Sequence, residues 1–212
     1  MHRQQTLEKL NDYRQANGWL WLDKPEANSS LRTREEERAI ATLFIEFIKA
    51  HDNCFARECQ PGHLTGSALV VSPKLDRVLL TLHKKLNKWL QLGGHADGIS
   101  DIVEVTETEV QEESGLQVFE FIKLQSSSSK ILPFDLDRHL IPARPDEPAH
   151  FHYDLRFLVV ADDGQQIEIS DESHDLKWFN LPDAQELTSE LSMQRQFDKL
   201  AKLANRSQPR SL

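Results

Sequence analysis

Gly93 to Leu116 reads GGHADGISDIVEVTETEVQEESGL, a glycine-rich loop that runs straight into a helix. From Ile102 to Ser114 the spacing is helical, with Val103, Thr106 and Val110 on one face, and Gly115 supplies a left-handed stop. The helix ends in Glu109, Glu112 and Glu113, which at helical periodicity fall within an arc of roughly 100°. Three carboxylates on one face repel each other. They are tolerated either as a solvated acidic face or as the holder of a cation. Donors that are all oxygen suit a hard divalent ion, Mg²⁺ or Mn²⁺. Glu104 and Glu107 on the same helix read as solvated.

The rest of the chain alternates between helical and strand-like texture. Residues 1–60 read as a helical extension. Within it, Thr33 and Glu36 form a capping box, and Ile40, Leu43, Phe44, Phe47 and Ile48 make one apolar face. Trp19, Leu20, Trp21 and Leu22 form an apolar knot before that helix. Gln60-Pro61-Gly62 marks a turn and the boundary with a domain spanning 61–212. Ser67–Val71 and Arg77–Leu82 read as a strand pair, and Trp89–Leu92 as a third strand that Gly93-Gly94 ends. Val118–Leu124, Phe134–Ile141, His150–Ala161 and Leu176–Phe179 read as further strands. Ser126–Ser129 is a short serine loop. Met193, Phe197, Leu200 and Ala204 define a last helix. This mixture without repeats predicts an α/β or α+β fold, and Trp89 and Trp178 are expected in its core.

Composition narrows the function. With 34 acidic against 25 basic side chains, the net charge is −9. That is the wrong sign for binding a nucleic-acid polymer, whose phosphates need lysine and arginine. Cys54 and Cys59 are the two cysteines, too few for a zinc quartet or a disulfide framework, so two ordinary thiols are expected. No apolar run approaches a membrane span, and Met1–Leu10 is polar with no signal-peptide core. The expectation is a cytoplasmic protein with no membrane partner.

A second cluster lies on the hairpin. Strand periodicity puts Phe151, Tyr153, Leu155 and Phe157 on one face, and His150, His152, Asp154 and Arg156 on the other. Asp135, Asp137 and His139 share a face of the preceding strand. If the strands pair, these groups form one polar surface, either the solvent side of an antiparallel sheet or the wall of a pocket. His139, His150, His152 and His174 are four of the nine histidines, a density that favours the pocket. Histidine and arginine there suit an anionic phosphate or ribose-phosphate. His150, His152 and Asp154 also make a His-x-His plus Asp set for a second metal. His95 and Asp97 lie beside the glutamate helix by adjacency, and His63 and His83 are further candidates to come close.

The order of residues in the glutamate helix resembles the Nudix hydrolase signature: Gly, five residues, Glu, seven residues, Arg-Glu, an aliphatic, any residue, Glu-Glu, any residue, Gly, an aliphatic. Gly94, Glu109, Val110, Glu112, Glu113, Gly115 and Leu116 match in register. Ser100 stands at the first glutamate and Thr108 at the arginine. The run Gly93-Gly94-His95-Ala96-Asp97-Gly98 is similar to one branch of that family. The resemblance covers about residues 62–205 and implies a Nudix-type α/β/α sandwich with a mixed sheet, beside the N-terminal helical extension.

It also implies an activity, the Mg²⁺-dependent hydrolysis of a diphosphate bond in a nucleoside diphosphate derivative or similar phosphorylated metabolite. Gly93 (through its carbonyl), Glu109, Glu112 and Glu113 would be metal ligands. Glu109, Glu113 and a later-loop glutamate, Glu172, would be catalytic. His95, Asp97, His139, His150, His152, Asp154 and Arg156 are the candidate substrate contacts. A homodimer, with residues 1–60 as interface or pocket lid, is compatible with the family. The missing arginine and glutamate leave a second reading, a nucleotide-binding or sensing protein with a weakened site. A third, a prenyl-diphosphate isomerase of the same fold, needs a cysteine and a glutamate in reach of the substrate.

Overall fold

The computed structural model describes residues 2–16, 29–124, 130–145 and 147–207. The Trp19–Leu22 knot and the Ser126–Ser129 loop lie outside these.

Helix α1 (His2–Gln15) precedes α2 (Arg34–Ala50), and α2 starts on the expected capping box. Strands β1 (Gly62–Val71) and β2 (Arg77–His83) pair antiparallel through Val70–Leu79 and Val71–Val78. The expected third strand is two: β3 (Lys88–Leu90) pairs with β2, and β4 (Leu92–His95) pairs with β1. The glycine pair therefore does not end a strand but lies inside one. Gly93 has φ +153°, and a Cβ there would come within 2.3 Å of Ser67 Cβ, so close approach to β1 is what requires glycine.

Helix α3 (Ile102–Ser114) follows, N-capped by Asp101 and stopped by Gly115 at φ +70°. Strands β5 (Phe119–Phe121), β6 (Asp135–Ile141), β7 (His150–Ala161) and β8 (Ser173–Asn180) complete the sheet. Short helix α4 (Leu181–Glu186), capped by Asn180, has no counterpart in the sequence reading. It is too brief to show helical periodicity. Helix α5 (Leu191–Ser207) ends the described chain.

The sheet runs β3-β2-β1-β7-β5, with β4 on β1, β6 on β7 and β8 on β2. It is mixed, because β1 and β7 run parallel over ten residue pairs while the other pairs are antiparallel. β1 is buried along its whole length, so its residues feed two cores. Ala68 and Val70 join Leu92, Val110 and Val159. Leu64, Leu69 and Val71 join the larger cluster with Leu10 and Tyr13 of α1, Phe44 and Phe47 of α2, Tyr153 of β7 and Phe197 of α5. Phe47 stacks on Tyr153 with ring centroids 3.8 Å apart. Helices cover both sides of a curled mixed sheet, an α/β/α sandwich, and the N-terminal helices share its hydrophobic core. Trp89 and Trp178 are partly buried at the margins of the two cores. Among the described residues, no helix is long and apolar enough to cross a membrane.

Candidate active site

The two glycines of β4 face the glutamates of α3. The Gly93 amide donates to Glu113 Oε2 at 2.7 Å. A Cβ on Gly94 would fall 2.1 Å from Glu109 Oε1, so only glycine leaves room for that carboxylate. Gly66 of β1 plays a similar part for the helix itself, since a Cβ there would meet Thr106 Oγ1 at 2.7 Å. The sheet thus holds α3 close enough to bring its carboxylates over the backbone of the glycine pair.

Burial first, then the charges of Glu112, Glu172 and Asp97, push the Glu109 carboxyl up to about 7, against the attraction of Arg57. Burial pushes Glu113 up to about 8, with Glu109 and Glu172 adding to it and the Gly93 amide opposing. Glu112, Glu104 and Glu107 are exposed. Glu172 is exposed in the turn before β8, where its carbonyl accepts from the Lys84 amide at 2.9 Å. Its charge nonetheless acts on both Glu109 and Glu113, which places it on the same side as the glutamate helix.

The polar face of the hairpin is assembled as the strand period predicts. Asp135 pairs with Arg156, Asp137 with Asp154 and His139 with His152. The solvent-side alternative is wrong for most of it: Asp135, Asp154, Arg156 and His150 are buried, because β7 is a central strand and α5 lies over it. Asp154 accepts from Thr65 and Ser67 at 3.0 Å and from Arg156 Nε at 2.8 Å. Its oxygens are therefore taken, and the His150–His152–Asp154 metal set does not form. Asp154 turns to Arg156, Thr65 and Ser67, away from the two histidines.

The histidines gather instead across three strands. His63 lies beside His152 in parallel register, and His95 stands at the end of β4, opposite Thr65. Ring centroids are 5.2 Å apart for His63 and His95, 4.8 Å for His63 and His152, and 4.9 Å for His95 and His152. His150 stacks on His63, and exposed His139 packs edge-on to His152. Burial, with the neighbouring cationic and histidine groups, pushes His95 down to about 4 and His152 down to about 2. His83 is elsewhere, capping the turn after β2 through the Lys85 and Leu86 amides. His174 is exposed.

No family model matches the chain, and no curated protein matches it in sequence. Solved structures do match. A Nudix family hydrolase from Clostridium perfringens is 27% identical, covers 66% of this chain and 97% of its own, and superposes with a TM-score of 0.52. The Nudix fold is the one these strands and helices build. An Ap4A hydrolase of C. elegans (14% identical, 68% and 98% covered, TM-score 0.52) has the same fold. So does the E. coli dihydroneopterin triphosphate pyrophosphohydrolase (17%, 64% and 92%, TM-score 0.50).

Within the Nudix fold, the loop that lacks the usual glutamate and arginine is held by other means. Asp101 takes the helix cap, accepting from the Val103 amide at 3.1 Å, and its other oxygen lies 3.3 Å from His2 Nδ1. Thr6 donates to the Ser100 carbonyl at 3.3 Å. The Gly98 amide donates to the Phe55 carbonyl at 2.8 Å, and Arg57 holds Asp97 through two contacts, one of them Nη2 to Oδ2 at 2.8 Å. Four anchors on one loop come from the N-terminal 60 residues. The sequence carries no local signal for Arg57 or Thr6 in this role, because nothing in either stretch points to a loop so distant in the chain. Cys54 and Cys59 are free and buried, and burial pushes the Cys54 thiol up to about 11. A buried thiol held protonated in this way does not suit the acid–base pair of an isomerase.

Proposed function

We propose that the protein is a Nudix-type pyrophosphohydrolase that cleaves a diphosphate bond in a nucleoside diphosphate derivative or similar phosphorylated metabolite, using Mg²⁺ or Mn²⁺. The observation that carries this reading is the pair Glu109 and Glu113, packed on Gly93-Gly94 with their carboxyls raised by burial and by neighbouring carboxylates. Such a pair is costly unless a cation neutralises it. The donor set fits a hard ion: Glu109, Glu112, Glu113 and the Gly93 carbonyl offer oxygen only. A divalent ion there supplies charge neutralisation of the diphosphate and of the leaving phosphate.

The chain's own residues do the rest. Glu109 and Glu113 set the negative field that draws the ion, and Gly94 gives the diphosphate access to it. Glu172, exposed and electrostatically coupled to both, is the group we assign to accept the proton of the attacking water. Asp97 and the exposed edge of the histidine cluster, His139 first, are assigned to the sugar and phosphate groups. His95, His150 and His152 form the wall behind them, and the Asp154–Arg156 pair stiffens that wall from within. The similar Clostridium perfringens chain is named a hydrolase, which supports the reaction class and leaves the substrate to experiment. We further assign the chain to the cytoplasm.

The test is product analysis with Mg²⁺ over nucleotide sugars, dinucleotides, nucleoside triphosphates and ADP-ribose. Wild type should release monophosphate products, and Glu113→Gln should lower turnover by about 100-fold or more, some 2.7 kcal/mol of barrier. Binding of Mg²⁺ and nucleotide with no turnover by wild type would sink the enzyme and leave a nucleotide-binding protein.

A further inference from the structure

We propose that His63, His95 and His152 form a second metal site, selective for a borderline transition-metal ion of the Zn²⁺ class and separate from the glutamate helix. Each offers one ring nitrogen, and these donor atoms lie within 4.8 Å of one another. Among the described residues, no other set of three or more histidine, cysteine or acidic side chains converges so closely. The three come from β1, β4 and β7, so the site sits where these strands meet.

His63 is the decisive residue. It is 1% exposed, and neither ring nitrogen makes a well-formed hydrogen bond, the Arg57 backbone offering at most a weak acceptor for its N–H and nothing donating to its lone pair. A neutral imidazole always carries one N–H and one lone pair. Burying the lone pair unmet is unfavourable, and buried polar groups in folded proteins are nearly always satisfied. A metal ion takes the lone pair directly. The alternative, an apolar stack of rings, leaves it stranded.

The neighbours set the tautomer of a second ligand. His150 Nδ1 lies 2.9 Å from the Pro148 carbonyl, which can only accept, so Nδ1 carries the proton. In the neutral ring, Nε2 of His150 is then the acceptor, and His152 Nε2 at 3.3 Å is the donor. That leaves the lone pair of His152 on Nδ1, free for an ion. Metal-binding histidines are commonly fixed in this way by a relay through their other nitrogen.

The surroundings suit a site of three imidazoles with an open position. Two acidic groups beside these histidines in sequence are engaged elsewhere: Asp97 by Arg57, and Asp154 by Thr65, Ser67 and Arg156. Glu147, 3.6 Å from His150 Nε2, supplies negative charge at the edge of the cluster. Three nitrogen donors with a fourth position free favour Zn²⁺, Co²⁺ or Ni²⁺ over Mg²⁺, whereas the oxygen donors of Glu109 and Glu113 favour the reverse. The two sites therefore discriminate between ions by donor chemistry.

The experiment uses the full chain stripped with chelator and titrated with Co²⁺ alone, read by visible absorption and by bound metal per chain. We expect one equivalent with the intense bands of low-coordinate Co²⁺, displaced by Zn²⁺ and not by excess Mg²⁺, apart from any pale Co²⁺ on the oxygen donors of the glutamate helix that excess Mg²⁺ displaces. His95→Ala and His152→Ala, both only half-buried positions, should each weaken binding at least 10-fold, with circular dichroism confirming the fold. Glu113→Gln should keep the Co²⁺ spectrum. Absence of the bands in wild type overturns the proposal without any variant. So does a spectrum that survives both histidine substitutions, or one lost in Glu113→Gln. Metal uptake is read without turnover, so a failure of the hydrolase reading would leave this result standing.

Discussion

Gly94 is a position where one methyl group decides whether a carboxylate can stay in place. Its φ is not in the left-handed region, so alanine meets no backbone penalty there, but the added Cβ would fall 2.1 Å from Glu109 Oε1. Gly94→Ala should therefore displace Glu109 and leave the strand intact. The expected outcome is a 10- to 100-fold weaker affinity for Mg²⁺, about the cost of disturbing groups that position a metal ligand, with a thermal midpoint close to wild type. Calorimetric Mg²⁺ titration beside a melting curve checks it, and unchanged affinity would refute the packing argument. Asp101 makes the contrasting case, a residue whose work is stability. Asp101→Ala removes the cap on the Val103 amide, for which about 1 kcal/mol is expected, measurable as a shift in the urea midpoint.

At the level of elements, what was legible in the sequence follows from how local its cause is. Helix α3 could be read because its apolar stripe and Gly115 lie within its own turns, although its Asp101 cap was seen only in the structure. The hairpin β6–β7 could be read because period 2 fixes which residues share a face. The strand character of Gly93-Gly94 could not be read, since its cause is the approach of Ser67 from another strand. The histidine cluster was visible as an excess of histidines but not as a set. His63 is brought to His152 only by the parallel pairing of β1 with β7.

The bracing of the Nudix loop by the N-terminal helical part was equally hidden, and it makes a prediction at this scale. Arg57 and Asp97 are both about half exposed, so their ion pair should contribute less than about 1 kcal/mol to stability. Its value lies in order, because the loop it holds carries no glutamate–arginine pair of its own. Arg57→Ala should leave the melting temperature nearly unchanged and lower kcat several-fold with little effect on KM. An unaffected kcat would show that Phe55 and Thr6 suffice.

Across the whole molecule, one buried ion network joins helices that the sheet alone would not tie together. Lys199 of α5 contacts Glu37 of α2 at 2.7 Å and Asp135 of β6 at 2.6 Å, and Tyr13 of α1 donates to Glu37 at 2.7 Å. Arg195 binds both Asp135 and Asp137, and Arg156 links Asp137 to Asp154. Lys199 and Asp135 are fully buried. Removing one partner strands the others, so Lys199→Met should cost about 3–5 kcal/mol at neutral pH.

The network also fixes how that cost depends on pH. Burial alone would raise Asp135, but the charges of Arg195 and Lys199 override it and hold the carboxyl far below its ordinary value. Asp137 is held low in the same way by His139, Arg156 and Arg195, against its burial. A depressed carboxyl contributes its stability in full above its unfolded value, near 3.9, and loses it as pH falls toward the folded value. The difference in stability between wild type and Lys199→Met cancels the histidines and the other groups that do not touch Lys199, leaving Asp135 and Glu37. It should therefore shrink as pH falls through the folded-state value of Asp135 in Lys199→Met, which lies above that in wild type because one of its cations is gone, while the unfolded chains titrate alike and cancel. Urea midpoints of both proteins at pH 7, 5, 4 and 3 measure it. A difference that stays constant down to pH 3 would mean that Lys199 acts by filling space, and that the charge of Asp135 is balanced by Arg195 alone.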